Sequence, residues 1–261
     1  MKQTKIMVMA GTKDAHNIIY ELSDLEEIYV IATATTNRGT ELARSSGADE
    51  LEQGCLDAID LAKIINTRQI NVIIDATHPF AANATLNAIR ATEMTGINYL
   101  RFERPQSKLP DNKLINQVSS FSEAVKLILK YKERRIFHMA GVKTLHHLTE
   151  KIEGRRIIAR VLPSINSIKI CLELGLPSRN IIAMEGTFSS DFNRALMEEY
   201  QIDVVLTKES GQIGGTLSKI KAALELNLQV IVVLRPVIKE LQGKKVFDQV
   251  EDLISEINKK I

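Results

Sequence analysis

Residues 71–91 read NVIIDATHPFAANATLNAIRA, and the division of this stretch decides the fold. Val72, Ile73 and Ile74 form an unbroken apolar run that closes on Asp75. Such a run suits a short strand covered on both faces. From Ala81 onward the spacing is helical. Between the two lie Thr77, His78, Pro79 and Phe80. Proline biases the residue before it toward extended backbone and is tolerated at a helix start, where no N–H bond is lost. The stretch therefore reads as strand, polar lip, helix, with His78 kept outside the helix at the strand's carboxyl end.

The same alternation runs along the chain. Apolar runs rich in β-branched residues predict strands at 6–9, 28–34, 72–75, 99–102, 136–139, 157–161, 181–184, 204–207 and 230–234. Helical segments fall at 14–23, 40–46, 57–66, 81–95, 122–131, 143–150, 166–174, 191–200, 216–226 and 253–260. Strand-helix alternation of this kind predicts α/β architecture with parallel sheets. The segment 104–118, RPQSKLPDNKLINQV, has two prolines, mixed charge and no period, and predicts a boundary. The expected lobes are residues 1–108 and 109–261, each long enough for a Rossmann-like sheet. There is also an internal echo: NVIIDATHP, a helix and GINYLRFERP are matched by DVVLTKESG, a helix and NLQVIVVLRP.

Composition narrows the function classes. The 261 residues are 44% hydrophobic and 25% charged, with a net charge of +2, which is ordinary globular usage. Aromatics are 5% and tryptophan is absent, so neither a base-stacking surface nor a basic run argues for nucleic acid. No apolar run is long enough for a bilayer span, and no signal-peptide region follows the first residues, so a cytoplasmic chain is expected. Cys55 and Cys171 stand far apart, which predicts free thiols and no metal site.

In doubly wound sheets ligands bind beyond the carboxyl ends of strands, so the loops there matter most. After the first strand, Gly11 and Thr12 make a short turn into a helix, fit either for a phosphate or for a plain connection. After the second, Asn37 and Arg38 stand where an acidic residue would hold a ribose 2′-hydroxyl. The missing acid leans toward NADPH over NADH, with Arg38 on the 2′-phosphate or simply solvated. Thr77 and His78 line the third lip. The loop at 208–216, KESGQIGGT, offers Lys208, Glu209, Ser210, Gly211, Gly214 and Gly215, a composition that suits an anion nest. Arg101, Arg104, Arg160 and Arg235 lie at or just past strand ends and can meet carboxylates or phosphates.

Read in order, DATHPFA, YLRFERP, RVLP, TKESGQIGG with KIKAA, and LRP resemble the precorrin-6A reductase family of cobalamin biosynthesis, including its cobalt-precorrin-6A members. The resemblance spans nearly the whole chain. It departs at Ala10-Gly11-Thr12, where the family often has Gly-Gly-Thr, and at Gly186-Thr187-Phe188-Ser189, where it often has Gly-Pro-Phe-Ser.

The resemblance implies two Rossmann-like α/β lobes with parallel sheets and an interlobe cleft. It implies hydride transfer from NADPH or NADH to a double bond of a corrinoid ring bearing many carboxylates. The expected cofactor contacts are Gly11, Thr12, Asn37, Arg38 and Thr77. His78, Lys208 and Ser210 are the candidate catalytic residues. Arg101, Arg104, Arg160, Glu209, Gly211, Gly214, Gly215 and Arg235 are expected to face the ring. A non-catalytic two-lobed anion-binding protein and a methyltransferase of the same pathway are the competing readings. No nucleic acid or membrane partner is expected, and the oligomeric state stays open.

Overall fold

The computed structural model describes residues 4–211 and 213–259. Gln212 of the glycine-rich loop and Lys260, expected to end the last helix, lie outside the described residues. The chain forms two compact units, one comprising residues up to Pro105 together with those from Val237 onward, the other Gln106–Pro236.

The first unit is built on β1 (Thr4–Met9), β2 (Ile28–Ala34), β3 (Glu50–Gln53), β4 (Val72–Asp75), β5 (Asn98–Phe102) and a last strand numbered β12 (Lys245–Phe247). All pairings are parallel, in the order β3-β2-β1-β4-β5-β12. Successive side chains of a strand point to opposite faces. Ile6 and Val8 of β1 thus join one core, with Ala15, Ile18, Ile19 and Leu22 of helix α1 (Lys13–Ser23). Ala43 of α2 (Asn37–Ser45) and Leu253 and Ile257 of α10 (Val250–Asn258) complete that face. Met7 and Met9 join the opposite core, with Leu61 and Ile65 of α3 (Ala58–Arg68) and Ala88 and Ile89 of α4 (Ala82–Thr95).

The second unit repeats the plan. Its strands are β6 (Ile115–Val118), β7 (Ile136–His138), β8 (Ile157–Val161), β9 (Ile181–Ala183), β10 (Val204–Lys208) and β11 (Gln229–Val233), ordered β9-β8-β7-β10-β11-β6. These pairings are parallel as well. The intervening helices are α5 (Phe121–Ile128), α6 (His146–Thr149), α7 (Ile165–Glu173), α8 (Ser190–Glu199) and α9 (Thr216–Glu225). Phe137, Ile158, Val205 and Val232 pack with Met197 of α8 and Ile220 and Ala223 of α9.

The nine strands read from sequence are present within a residue or two at their ends. Three were not read: β3, β6 and β12, all at sheet edges and only partly buried. They also correct the expected division at 108/109. The segment after β5 enters the second sheet as β6 beside β11, and the segment after β11 enters the first as β12 beside β5. Each sheet thus takes its sixth strand from the chain that leaves the other's fifth. Strands of three or four residues are too short to carry a period by which sequence could assign their partners. The segment expected at 143–150 is a 3-10 turn at Val142–Thr144 followed by the four-residue α6. Cys55 is exposed and Cys171 buried, both as free thiols. Among the described residues no helix is long and apolar enough to cross a membrane.

Candidate functional site

In each sheet the strand order reverses beside its central strand, between β1 and β4 and between β7 and β10. The crevice at such a point is the usual ligand position.

In the first unit the crevice is closed from below by one hydroxyl. Thr12 Oγ1 accepts from the Ala15 N–H at 3.1 Å, capping α1, and donates to the Ala76 carbonyl at 2.9 Å. The turn after β1 is thereby tied to the lip after β4. Gly11 has φ +124° and nothing within 4 Å of where a Cβ would stand, so its backbone is open to a close-lying ligand at the helix start. Beside it lies a cavity of about 220 Å³, lined by Met9, Ala10, Thr35, Cys55, Thr77 and Asn87 among others. Asn83 and Asn87, one turn apart on α4, both border it. That i, i+4 pair of amides was the signal available in sequence. Asn37 and Arg38 are exposed at the start of α2, whose cap is Thr36. Asn37 Oδ1 accepts from Gln53 Nε2 at 2.6 Å.

The DATHP stretch is organised by its aspartate. Asp75 is fully buried and accepts from Thr77 N–H (3.0 Å), Thr77 Oγ1 (2.6 Å), Tyr99 Oη (2.9 Å) and Arg101 Nη1 (2.8 Å). Arg101 also bonds Glu103 through Nε and Nη2. Burial, reinforced by the Asp75 charge, drives the Tyr99 phenol far above its ordinary pKa, so it remains a donor. Arg101 is 0% exposed, and this corrects its expected role. Its guanidinium holds the lip together and offers no surface to a ligand. Arg104 pairs with Asp14 of α1 at 2.8 Å and is nearly buried. The Nδ1 of half-buried His78 accepts from the Phe80 N–H at 3.1 Å, so one ring nitrogen fixes the turn.

In the second unit the glycine-rich loop is an anion nest whose anion is the protein's own. Glu209 Oε1 accepts from the N–H groups of Ser107 and Gly211, both at 2.9 Å, while Oε2 meets Arg235 Nε at 2.5 Å. Ser210 N–H donates to Thr216 Oγ1 at 3.0 Å, and a Cβ on Gly214 would stand 2.0 Å from Ser210 Oγ. Gly215, at φ +68°, starts α9 against Thr187. Glu209, Gly211 and Arg235, expected to face the ring, and Ser210, expected as a catalytic candidate, are instead nearly buried parts of the loop's own framework.

The ends of β10 and β8 carry two cations. Lys208 and Arg160 are half-buried. Burial, then repulsion from Lys143, lowers the Lys208 pKa to about 8. Burial lowers Arg160 to about 10, and its guanidinium lies 5.2 Å over the Phe188 ring and bonds Asn193 Oδ1 at 2.8 Å. Lys219 joins them from α9, its Nζ donating to the Gly214 carbonyl at 3.0 Å. Burial, then repulsion from Arg160 and Lys208, lowers it to about 7. Beneath them His138 is fully buried, and burial with the Lys208 charge holds it neutral, near pKa 3.

Lys143 and Lys219 were missed from sequence. A signal for the first exists: Met139-Ala140-Gly141-Val142-Lys143 repeats Met9-Ala10-Gly11-Thr12-Lys13, at the same place in each sheet. Gly141 shares the positive φ, +86°, and the open space above it.

Two parallel sheets in dinucleotide-fold order, each with a polar reversal crevice, define a Rossmann-type α/β protein. The chain belongs to the precorrin-6x reductase CbiJ/CobK family, whose profile matches residues 5–258. It is 45% identical to a cobalt-precorrin-6A reductase of Methanothermobacter thermautotrophicus, over 99% of this chain and 85% of that one. It is 38% identical to a cobalt-precorrin-6A reductase of Methanocaldococcus jannaschii, over 97% of each. Among solved structures, CobK precorrin-6A reductase has the same fold, with a TM-score of 0.78 at 21% identity over 98% of this chain and 97% of that one.

Proposed function

We propose that this enzyme reduces a double bond of precorrin-6A in its cobalt-bearing form, using NADPH or NADH. Membership of the reductase family, matched along nearly the whole chain, carries the reaction class. The names of the 45% and 38% identical relatives favour the cobalt-bearing ring. The observation that carries the cofactor reading is the turn at Gly11, where an open, positive-φ backbone meets a capped helix start beside a cavity.

A bound nicotinamide would supply hydride to one ring carbon while a proton reaches its neighbour. The chain's own part is alignment and charge. Backbone N–H groups at Gly11 and Thr12 hold a pyrophosphate at the start of α1. Exposed Arg38, with Asn37 beside it, meets the ribose and favours a 2′-phosphate. Thr77, ordered by Asp75, forms the wall of the cavity. Arg160 and Lys208 take ring carboxylates, where their partly desolvated charges act more strongly than in water. His78 stands at the lip with its orientation fixed through Nδ1. The remaining part of the proton's route is a choice between His78 and Lys208.

The test is anaerobic incubation with cobalt-precorrin-6A, following reduced cofactor. Oxidation of NADPH, more slowly of NADH, is expected. Absence of oxidation with both, together with tight binding of S-adenosylmethionine, would replace this reading with a methyltransferase. Ring binding without turnover would leave a carrier.

A further inference from the structure

Gly186-Thr187-Phe188-Ser189, the loop that follows β9, is built around one buried amide. Asn193 of α8 is 0% exposed. Its Nδ2 donates to the carbonyls of Phe188 at 3.2 Å and Ser189 at 2.8 Å, while its Oδ1 accepts from Arg160. One side chain thus fixes the loop and the cation of β8 in a single register. The Phe188 ring takes the guanidinium on its face, where the ring quadrupole favours a positive charge. The bond to Asn193 uses one N–H of a fork that has several, so donors remain for a ligand.

Apolar side chains gather around that cation. Phe192, on the first turn of α8, stacks on Phe188 with ring centroids 4.8 Å apart and planes at 27°, yet it stays 41% exposed. Thr187 Oγ1 donates to the Ile213 carbonyl at 2.8 Å, which ties the loop after β9 to the loop after β10, and Ile213 is 44% exposed. Leu162, two residues beyond Arg160, is 57% exposed. A single exposed apolar residue is ordinary, but several gathered around one cation mark a binding surface. They follow the carboxyl ends of β8, β9 and β10, the side on which a doubly wound sheet takes its ligand.

We propose that Phe192, stacked on Phe188, forms with Ile213 an apolar shelf for the face of the tetrapyrrole ring, with Arg160 beside it on a peripheral carboxylate. The ligand's chemistry matches both parts. A conjugated macrocycle has an apolar face that gains by leaving water and by lying on an aromatic ring. Its carboxylates stand at the rim, so the cation belongs at the margin of the shelf. Phe188 and Asn193 already hold Arg160 there through contacts within the unit, and docking has little left to order. An arginine alone would take any carboxylate; the shelf selects those attached to a broad apolar face. This inference rests on the reductase reading.

The test is anaerobic spectrophotometric titration of the full chain with cobalt-precorrin-6A, without cofactor, at about 0.1 M and about 1 M salt, where charges are screened beyond about 10 Å and about 3 Å. Phe192→Ala is expected to raise the dissociation constant about tenfold, and Ile213→Ser about threefold to fivefold, with melting temperatures near that of the wild type. Ile59→Ser, at a 69% exposed apolar residue of α3 in the other unit, is expected to bind as the wild type does. The Phe192→Ala loss should hold at both salt concentrations, whereas the loss in Arg160→Met should shrink at the higher one. Binding within about twofold of the wild type in both Phe192→Ala and Ile213→Ser overturns the shelf and leaves the reductase reading intact. Equal weakening by Ile59→Ser overturns it too, as does a Phe192→Ala loss that fades with salt, which would make Phe192 a support for Arg160 alone. Absence of both ring binding and cofactor oxidation in the wild type overturns the shelf and the reductase reading together.

Discussion

Replacing Arg101 with methionine strands the Asp75 charge. In the folded protein that carboxylate is 0% exposed and takes four hydrogen bonds, of which only the one from Arg101 Nη1 brings a positive charge. Methionine fills much of the arginine's space but leaves the anion held by neutral donors alone. Removing one partner of a buried ion pair costs about 3–5 kcal/mol. For a unit of about 130 residues the unfolding entropy is roughly 0.27 kcal/mol/K, so the melting temperature should fall by about 11–18 °C. Scanning calorimetry on wild type, Arg101→Met and the double variant Asp75→Asn with Arg101→Met tests this. The double variant removes the stranded charge and should recover several degrees. A loss under about 1 kcal/mol in the single variant, or no recovery in the double, refutes the reasoning.

Three further outcomes follow from the site. Gly214→Ala places a Cβ against the Ser210 backbone and side chain and should cost about 1–3 kcal/mol with loss of turnover, whereas Gly11→Ala meets no clash but holds alanine at φ +124°, which should cost about 1–3 kcal/mol in backbone strain and also weaken cofactor affinity; paired melting and binding curves check both. Arg38→Ala should raise the Michaelis constant for NADPH and spare that for NADH; equal effects on the two remove Arg38 from the 2′-phosphate. Because burial and Lys143 hold Lys208 near 8, its cation is present below that pH and lost above it, so the substrate Michaelis constant should rise as pH climbs past 8. Lys208→Arg should flatten that rise, which a pH series of initial rates would detect.

The sequence exposed the parts of the fold that obey a period. β1, β2, β4, β10 and β11 are buried on both faces, so their apolar runs stand out. β3, β6 and β12 are half-exposed edges whose partners are chosen by topology, and nothing local marks them. The strand ends were legible as places, the roles of their residues less so. Lys208, Arg160, Thr77 and Gly11 lie at or just past the carboxyl ends of β10, β8, β4 and β1. Arg101, Glu209 and Arg235 have the same residue types at equivalent places, but each is neutralised by a partner that sequence distance hides: Asp75, 26 residues away, and the Arg235–Glu209 pair, also 26 apart. His78 shows how two readings coexist in one residue, since one nitrogen caps the turn while the ring stays half-exposed at the lip.

The reciprocal sixth strands set a timetable for the newborn chain. On the ribosome β5 emerges early, but its native outer neighbour, β12, is encoded some 140 residues later, and at about 5–20 residues per second that is a delay of roughly 7–28 s. Through that interval the first sheet presents the N–H and C=O groups of β5 to whatever strand comes near, an invitation to mispairing. The second sheet meets no such wait, because β6 is made before β11. The last of these strands to be made therefore completes the sheet that was begun first.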